Sequence, residues 1–372
     1  MIDTIFSVFA FVLGTVVGSF LNVVIYRLPL NLSVNEPKRS FCPHCKTQIP
    51  FHQNIPLLSW LLLRGRCARC KAPIPFRYFF VELLTGALFL GVWLYCVHHR
   101  QIGLVLPFWI LVSLLIAATF IDFDHFIIPD EITIGGTVAG LVLSFLVPSM
   151  MGTESHLMGF VWSLIGALVG FGLLWGVVEV GKLAFGRIKL AFEQPTPFTW
   201  TRHGDDAELA VGEEKLLWSD IFSRESDLLI MEAEEVVIDG SKPVGEYPLR
   251  FRYDRLLNGG NPVQLDTIST IAGKVRKMVI PREAMGFGDV KFIACIGAFL
   301  GWKAVLFSIV AASCIGSLVG VMLIITGQRD RSGRIPFGPY LALGALLWLF
   351  AGPAIIDAYL NWVGPAMVPE GY

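Results

Sequence analysis

The sequence predicts an all-α polytopic membrane protein of about eight transmembrane helices, interrupted by two polar segments. Three observations carry this reading. Of 372 residues, 54% are hydrophobic and only 16% charged, against about 25% charged in an ordinary soluble domain. The apolar residues fall in long blocks, and a membrane span needs about 20 mostly apolar residues. The charges are segregated: a basic stretch lies at 29–77, and a stretch from about Gly186 to Glu283 holds 17 of the 30 acids. A formal net charge of -1 therefore hides strong local asymmetry, and no nucleic-acid partner is expected.

Candidate spans run over 5–27, 78–98, 103–121, 132–150, 156–184, 287–301, 303–326 and 337–360. The first has no Lys or Arg before its apolar run, so it lacks the basic region of a cleavable signal peptide and reads as retained. The fifth is long and is expected to tilt or to project from the bilayer. The sixth is short. Gly and Pro recur within several spans, which membrane helices tolerate.

Orientation follows from Lys and Arg. The first loop carries Lys38, Arg39, Lys46, Arg64, Arg66, Arg69, Lys71 and Arg77 against the single acid Glu36. The last loop holds Arg329, Arg331 and Arg334 around Asp330, while the leader and the tail after Leu360 hold no basic residue. The positive-inside rule then puts the loops after spans 1, 3, 5 and 7 in the cytosol and both termini outside it. Arg100, in the loop after span 2, is a single counterexample.

The expected division is a first span at 1–28, a cytosolic loop domain at 29–77, spans 2–5 at 78–185, a cytosolic insert at 186–282, and spans 6–8 at 283–372. Within the insert, DLLIMEAEEVVIDG and PLRFRYDRLL are rich in branched and aromatic residues with turn formers between them. That pattern predicts a small, mostly β domain. A disordered loop is the competing reading, and the apolar content argues against it.

Seven cysteines are present. Cys96, Cys295 and Cys314 sit inside apolar blocks and read as small packing residues. The other four read CPHC (42–45) and, after 21 intervening residues, CARC (67–70). Two residues between cysteines let both thiolates turn onto one ion, and two such knuckles close a tetrahedral site, the geometry of structural zinc. Disulfides or free thiols are the alternative, and a cytosolic loop disfavours disulfides. With Cys42, Cys45, Cys67 and Cys70 as ligands no position stays open, so a Zn2+ here is structural rather than catalytic. His44 offers an alternative ligand inside the first knuckle. His52 reads as an ordinary polar loop residue.

Charged residues inside spans are costly and mark function. Two sites stand out. Span 3 ends in IDFDHFIIPD (121–130), where Asp122 follows an apolar run and Pro129 ends or redirects the backbone. Taken alone, Asp122 also fits a boundary acid facing water. Span 6 opens with Gly286, Phe287, Gly288 and Asp289, followed by Val290 and Lys291. The glycines permit close approach of another backbone and unusual dihedrals, although an acid at a helix start is favourable without any further role. Together the sites are more specific, because both fall on the cytosolic side. Two carboxylates in one desolvated site do not both ionise easily and share a proton. One then activates a water while its protonated partner polarises a scissile carbonyl.

Five blocks resemble the type IV prepilin peptidase family, also called leader peptidase/N-methyltransferase, of the Gly-x-Gly-Asp class of membrane aspartyl proteases. They are GSFLNVVIYRLP (18–29), the paired cysteine knuckles, IDFDHFIIPD (121–130), EAMGFGDVKFIACIGAFLGW (283–302) and IPFGPYLALGA (335–345). The resemblance implies that Asp122 and Asp289 are the catalytic pair. Asp122 is preferred to Asp124 because it stands seven residues before Pro129; Asp124 and Asp130 become neighbours that tune the site. It implies cleavage of prepilins and pseudopilins after a leader glycine, on the cytosolic face of the bacterial inner membrane. It also implies methylation of the new N-terminus from S-adenosylmethionine, tied in the family to the first cytosolic loop. The residues that bind the methyl donor are not identified by it. Two features depart from the family: Tyr26 stands where histidine is often found, and the 186–282 insert is longer than the usual loop. A non-catalytic scaffold with a zinc-stapled loop, or a methyltransferase alone, are the competing functions.

Overall fold

The computed structural model describes residues 2–36, 40–42, 44–50, 53–185, 187–204, 206–212, 214–222, 227–240, 247–257, 262–281, 286–326 and 335–363. Lys38, Arg39, His52, Arg329, Asp330, Arg331 and Arg334 lie outside them, as do Glu283, Ala284 and Met285 of the Gly-x-Gly-Asp block. The chain forms two compact units, one of residues 1–175 with 286–372 and one of residues 176–285.

The first unit is helical: α1 (Ile2–Arg27), α2 (Leu58–Leu62), α3 (Phe76–His98), α4 (Val105–His125), α5 (Asp130–Leu146), α6 (His156–Phe185, crossing into the second unit), α8 (Phe287–Ile325) and α9 (Gly338–Val363). Among the described residues, six helices are long and apolar enough to cross a membrane, and the protein is a multi-pass membrane protein. This is fewer than about eight, for two physical reasons. The fourth expected span, 132–150, is cut short, because Pro148 forces Val147 out of the helical region (φ -126, ψ 73) and α5 stops after 17 residues. The sixth and seventh expected spans form one element, α8, broken at Gly301 (φ 77, ψ 174). Only glycine adopts that backbone without strain.

Small residues set the packing of α8. Its first arm runs against α6, with Gly166 facing Gly297 and Gly170 facing Ile293, and the Ser163 hydroxyl donates to the Ala298 carbonyl at 2.6 Å. The same arm runs alongside α5, where Gly136 faces Cys295 and Gly140 faces Ala298. Gly301 lies against Met151, in the turn between α5 and α6. The second arm then runs antiparallel to α9: Ser308 meets Gly344, Gly316 meets Tyr340, and Gly320 meets Ile335. In membranes, where water gives no driving force between helices, such small-residue contacts let backbones approach closely and gain van der Waals attraction.

The second unit confirms strand rather than disorder. It is an eight-stranded antiparallel sheet in the order β3-β2-β1-β8-β4-β5-β6-β7. The strands are β1 (Arg187–His203), β2 (Asp206–Val211), β3 (Glu214–Leu217), β4 (Leu229–Ile238), β5 (Tyr247–Phe251), β6 (Arg255–Leu257), β7 (Val263–Gln264) and β8 (Thr270–Pro281), with a short helix α7 (Trp218–Ile221) after β3. Alternate residues of β2 point inward, with Ala207, Leu209 and Val211 buried. They join Phe198, Trp200, Met231, Phe251 and Ile271 in one core. Trp218 anchors α7 there, its indole N–H donating to the Tyr253 carbonyl at 2.9 Å. Opposite charges face each other across β4 and β8, as Glu232 with Lys277 and Glu235 with Lys274, the pairing expected of a solvated face.

Candidate active site

The last turn of α4 places Asp122, and its carbonyl accepts the N–H of Phe126, which caps the helix in the left-handed region (φ 55). The chain then runs through Ile127 and Ile128 to Pro129, the N-cap of α5. Pro129 pre-sets that start, since its missing N–H is one that a helix leaves unpaired there. Asp289 sits in the first turn of α8. Both acids are buried, at 5% and 8% exposure.

Ile128 is the wedge around which the elements meet. Its backbone lies 3.3 Å from where a Cβ on Gly288 would stand, and its Cδ1 lies 2.9 Å from the same point on Gly338. The starts of α8 and α9 therefore converge on the end of α4. Asp122 and Asp289 are near enough for their charges to interact. The Gly338 N–H donates to Asp122 Oδ2 at 3.0 Å. Asp289 Oδ1 is buried and has no hydrogen-bond partner among the described residues. A buried unsatisfied carboxyl oxygen is costly, and such atoms gather where function requires them.

The neighbouring acids behave differently. Asp124 forms an ion pair with Arg77 at the start of α3. Asp130 pairs with Lys291 at 2.6 Å, and Lys291 also lies over the Phe287 ring at 5.2 Å. Each of the two flanking carboxylates thus has a cation. Among the described residues Asp122 and Asp289 have none, so the structure separates the two pairs of acids by their partners.

The glycines divide the work unevenly. Gly286 has an ordinary extended backbone (φ -64, ψ 139) and is the N-cap of α8. A Cβ there would be in normal contact, at 3.6 Å from Asp289 Oδ2. The expectation of unusual dihedrals does not hold for it; close approach falls to Gly288, packed on the Ile128 backbone. Gly338 was not singled out as a site residue by the sequence. Its only signal was its place in the IPFGPYLALGA block.

The four cysteines come together in the first loop. Their sulfurs all lie within 4.8 Å of one another, and Cys42 and Cys70 are 3.7 Å apart. A tetrahedral zinc with Zn–S bonds of about 2.3 Å separates its sulfurs by roughly 3.8 Å, so the donor set fits that ion. The two knuckles share one build. The Cys42 N–H donates to Thr47 and the Lys46 N–H to Cys42; the Cys67 N–H donates to Ala72 and the Lys71 N–H to Cys67. Lys46 (φ 54) and Lys71 (φ 61) close the two turns in the left-handed region. His44 is not part of the cluster. No disulfide forms, and all four thiols are free. The Thr47 hydroxyl and N–H pull the Cys45 thiol down to about 6, and the amides of Cys70 and Arg69 lower Cys67. Cys70 receives the Ala72 amide, yet burial and its three neighbouring thiols push it up to about 11. Four sulfurs so close ionise together only around a cation.

Comparison with known proteins places these features. The Bacterial Peptidase A24 N-terminal domain matches residues 12–96, and the Type IV leader peptidase family matches 109–193 and 255–321. The cysteines fall in the first match; Asp122 and Asp289 fall in the two segments of the second. A prepilin leader peptidase/N-methyltransferase of Myxococcus xanthus (strain DK1622) is 33% identical over 359 residues, covering 94% of this chain and 74% of its own length. One from Aeromonas hydrophila is 29% identical, covering 94% and 92%. One from Legionella pneumophila is 25% identical, covering 93% and 91%. No solved structure matches the chain. Similarity that runs through both halves of the helical unit and nearly the whole length has one consequence: the chain belongs to the type IV leader peptidase family.

Proposed function

We propose that the protein is a membrane aspartyl endopeptidase that removes the leader of type IV prepilins and pseudopilins and then N-methylates the new N-terminus. The observation that carries this reading is the meeting of Asp122 and Asp289 around Ile128, both buried and neither matched by a cation among the described residues. One carboxylate takes a proton from water as its oxygen attacks the scissile carbonyl. The other, protonated, polarises that carbonyl, and a proton passes to the leaving amine as the C–N bond breaks. The two titrate as a pair, so neither role is assigned to one residue. Gly338 holds Asp122 Oδ2 and leaves Oδ1 to work. The Arg77 and Lys291 ion pairs neutralise Asp124 and Asp130 and keep two further charges from crowding the site.

Eight crossings suit the packing better than six. The first arm of α8 leaves the acid end, reaches Met151 at Gly301, and the second arm returns beside Ile335. Each arm is then its own short span, as is α5. The basic first loop supports placing the acid pair at the cytosolic face of the bacterial inner membrane, with both termini outside the cytosol. Cys42, Cys45, Cys67 and Cys70 would hold a structural Zn2+, which would cross-link the two knuckles of the loop and leave no open position. Prepilin and pseudopilin precursors and the lipid bilayer are the partners, and S-adenosylmethionine is the methyl donor. The test is leader cleavage by Asp122→Asn and Asp289→Asn in membranes. Each is expected to lose about 10²–10⁴-fold. Normal cleavage by either single variant refutes a shared pair.

A further inference from the structure

The short helix α2, within the cysteine loop, has its polarity reversed. Its polar side points inward. The Ser59 hydroxyl accepts the Ile55 N–H at 2.8 Å, and the Trp60 indole N–H donates to the Ile74 carbonyl at 3.3 Å. Both residues line a cavity of about 720 Å³ beneath the loop, between α1 and α3. The leucines take the other side. Leu58, Leu61 and Leu62 are exposed, Leu62 at 82%, and none of the three lines the cavity. Contiguous exposed leucines mark an interaction surface. Two observations say what covers this one. The first is continuity with a lipid-facing surface. Trp60 meets Phe76, the first residue of α3, edge to face at 5.7 Å. Phe76, Phe80 and Leu83 follow one another at helical spacing and are all exposed. Since α3 is long and apolar enough to cross a membrane, that stripe meets lipid, and α2 lies beside its first turn. The second observation is charge. Arg64, Arg66 and Lys71 come directly after α2, are exposed, and have no acidic partner among the described residues. Glu82 of α3 is turned inward, where it accepts the Leu57 N–H at 2.7 Å.

We propose that α2 is a membrane anchor lying in the interface plane: Leu58, Leu61 and Leu62 enter the acyl boundary of an anionic leaflet, and Arg64, Arg66 and Lys71 hold the phosphates of its headgroups. This goes beyond the proposed reaction and stands without it. Segments of this kind bind through buried apolar area plus attraction to anionic lipid. Each Lys or Arg near such a surface adds to the attraction, and a guanidinium pairs with phosphate through two parallel hydrogen bonds. One turn of helix is too little apolar area to hold a free peptide on a bilayer. It suffices here because α3 already keeps α2 at the surface, which makes the contact intramolecular. The anchor reaches the second cysteine knuckle through the backbone. The Gly65 N–H donates to the Trp60 carbonyl at 2.9 Å. Arg64 (φ 53) and Gly65 (φ 64) are both left-handed, so the chain reverses there, two residues before Cys67. A Cβ on Gly65 would stand 2.9 Å from the Trp60 ring, so glycine is needed for the close packing as well as for the turn. The leucine face and the knuckle thus move as one piece, and lipid contact sets the height of the cysteine loop above the bilayer.

The experiment is photocrosslinking of the full-length protein in two kinds of vesicle, phosphatidylcholine alone and phosphatidylcholine mixed with phosphatidylglycerol. Leu62→p-benzoylphenylalanine places the probe on the leucine face, and Leu61→p-benzoylphenylalanine repeats it at a second position should the first variant fold poorly. Thermal melts confirm the fold. Intact-mass spectrometry reads the fraction of chains carrying a lipid adduct. The same probe at Val310, exposed on the second arm of α8, sets the yield for a side chain in lipid. The expected result is a phospholipid adduct at position 62 or 61 comparable with that at 310. Its yield should be roughly threefold or more higher with phosphatidylglycerol present, and Arg64→Gln with Arg66→Gln should return it to the level in phosphatidylcholine alone. Adding a purified precursor separates the other occupant. Crosslinking to the precursor in place of lipid overturns the anchor, as does crosslinking to a second copy of the chain. Folded probe variants without a lipid adduct overturn it too. An equal yield in the two membranes overturns the role given to the cations.

Discussion

Gly338→Ala isolates the geometry of the acid pair with the smallest possible change. Gly338 begins α9, and its backbone is outside the left-handed region, so alanine fits the helix without strain. What it does not fit is the space. A Cβ there would stand 2.7 Å from Asp122 Oδ2 and 2.9 Å from Ile128 Cδ1. Restoring ordinary contact moves the carboxylate by about 0.7 Å and stretches the bond from the Gly338 N–H; a displacement near 1 Å at a reacting group costs about 10²-fold in rate. The assay is single-turnover leader cleavage of a purified precursor by the detergent-solubilised enzyme, with the melting temperature recorded alongside. Gly135→Ala is the control, since a Cβ at Gly135 meets nothing within 4 Å. The expected outcome is a rate fall of about 10²-fold for Gly338→Ala with little change in melting. A rate within twofold of wild type would show that the Gly338 contact does not position Asp122, and the reasoning would fail.

Four further outcomes follow from the same contacts. Metal analysis should find about one zinc per chain, and Cys42→Ser should release it, because a four-thiolate site has no spare ligand; a metal-free wild type removes the zinc reading. Lys291→Ala should cost no more than about 1 kcal/mol in stability, since its partner Asp130 is 58% exposed; a much larger loss in thermal melting would mean the pair is structural. Gly166→Val should destabilise the helical unit, because its Cβ would run into the Gly297 carbonyl; unchanged melting would show that the two helices separate freely. In the sheet, Trp218→Ala removes a side chain that is 3% exposed and should cost about 3–5 kcal/mol, read by denaturation of the excised 186–282 segment with β circular dichroism as the probe. A random-coil spectrum for the unmutated segment would end the idea that it folds alone.

The end of α4 and the start of α5 were legible because Asp122 and Pro129 bracket a change from apolar run to turn, whereas the early end of α5 before Pro148 was not. The knuckles were legible because two-residue cysteine spacing is a local device. The strands of the insert were legible because DLLIMEAEEVVIDG and PLRFRYDRLL are rich in branched and aromatic residues between turn formers; in β4 the structure buries Leu229, Met231 and Ala233 alternately. The continuity of α8 was not, because the break at Gly301 is one residue's backbone conformation, and a lone glycine within an apolar run looks the same whether or not the helix turns there. Gly286 misled for the opposite reason: the motif made it look special, while its backbone is ordinary.

What the sequence determined by itself was local and periodic: apolar blocks that must be helices in lipid, a four-thiolate loop, an acid at the end of one block and another at the start of a later one. Only the tertiary structure decided that these acids lie close together around Ile128, that Gly338 from a third helix holds one of them, and that a cavity opens beneath the cysteine loop. The physical reason is separation along the chain. The hydrogen bond from Gly338 to Asp122 spans 216 residues, and composition and spacing carry no information about which distant backbones lie close enough for a missing side chain to matter.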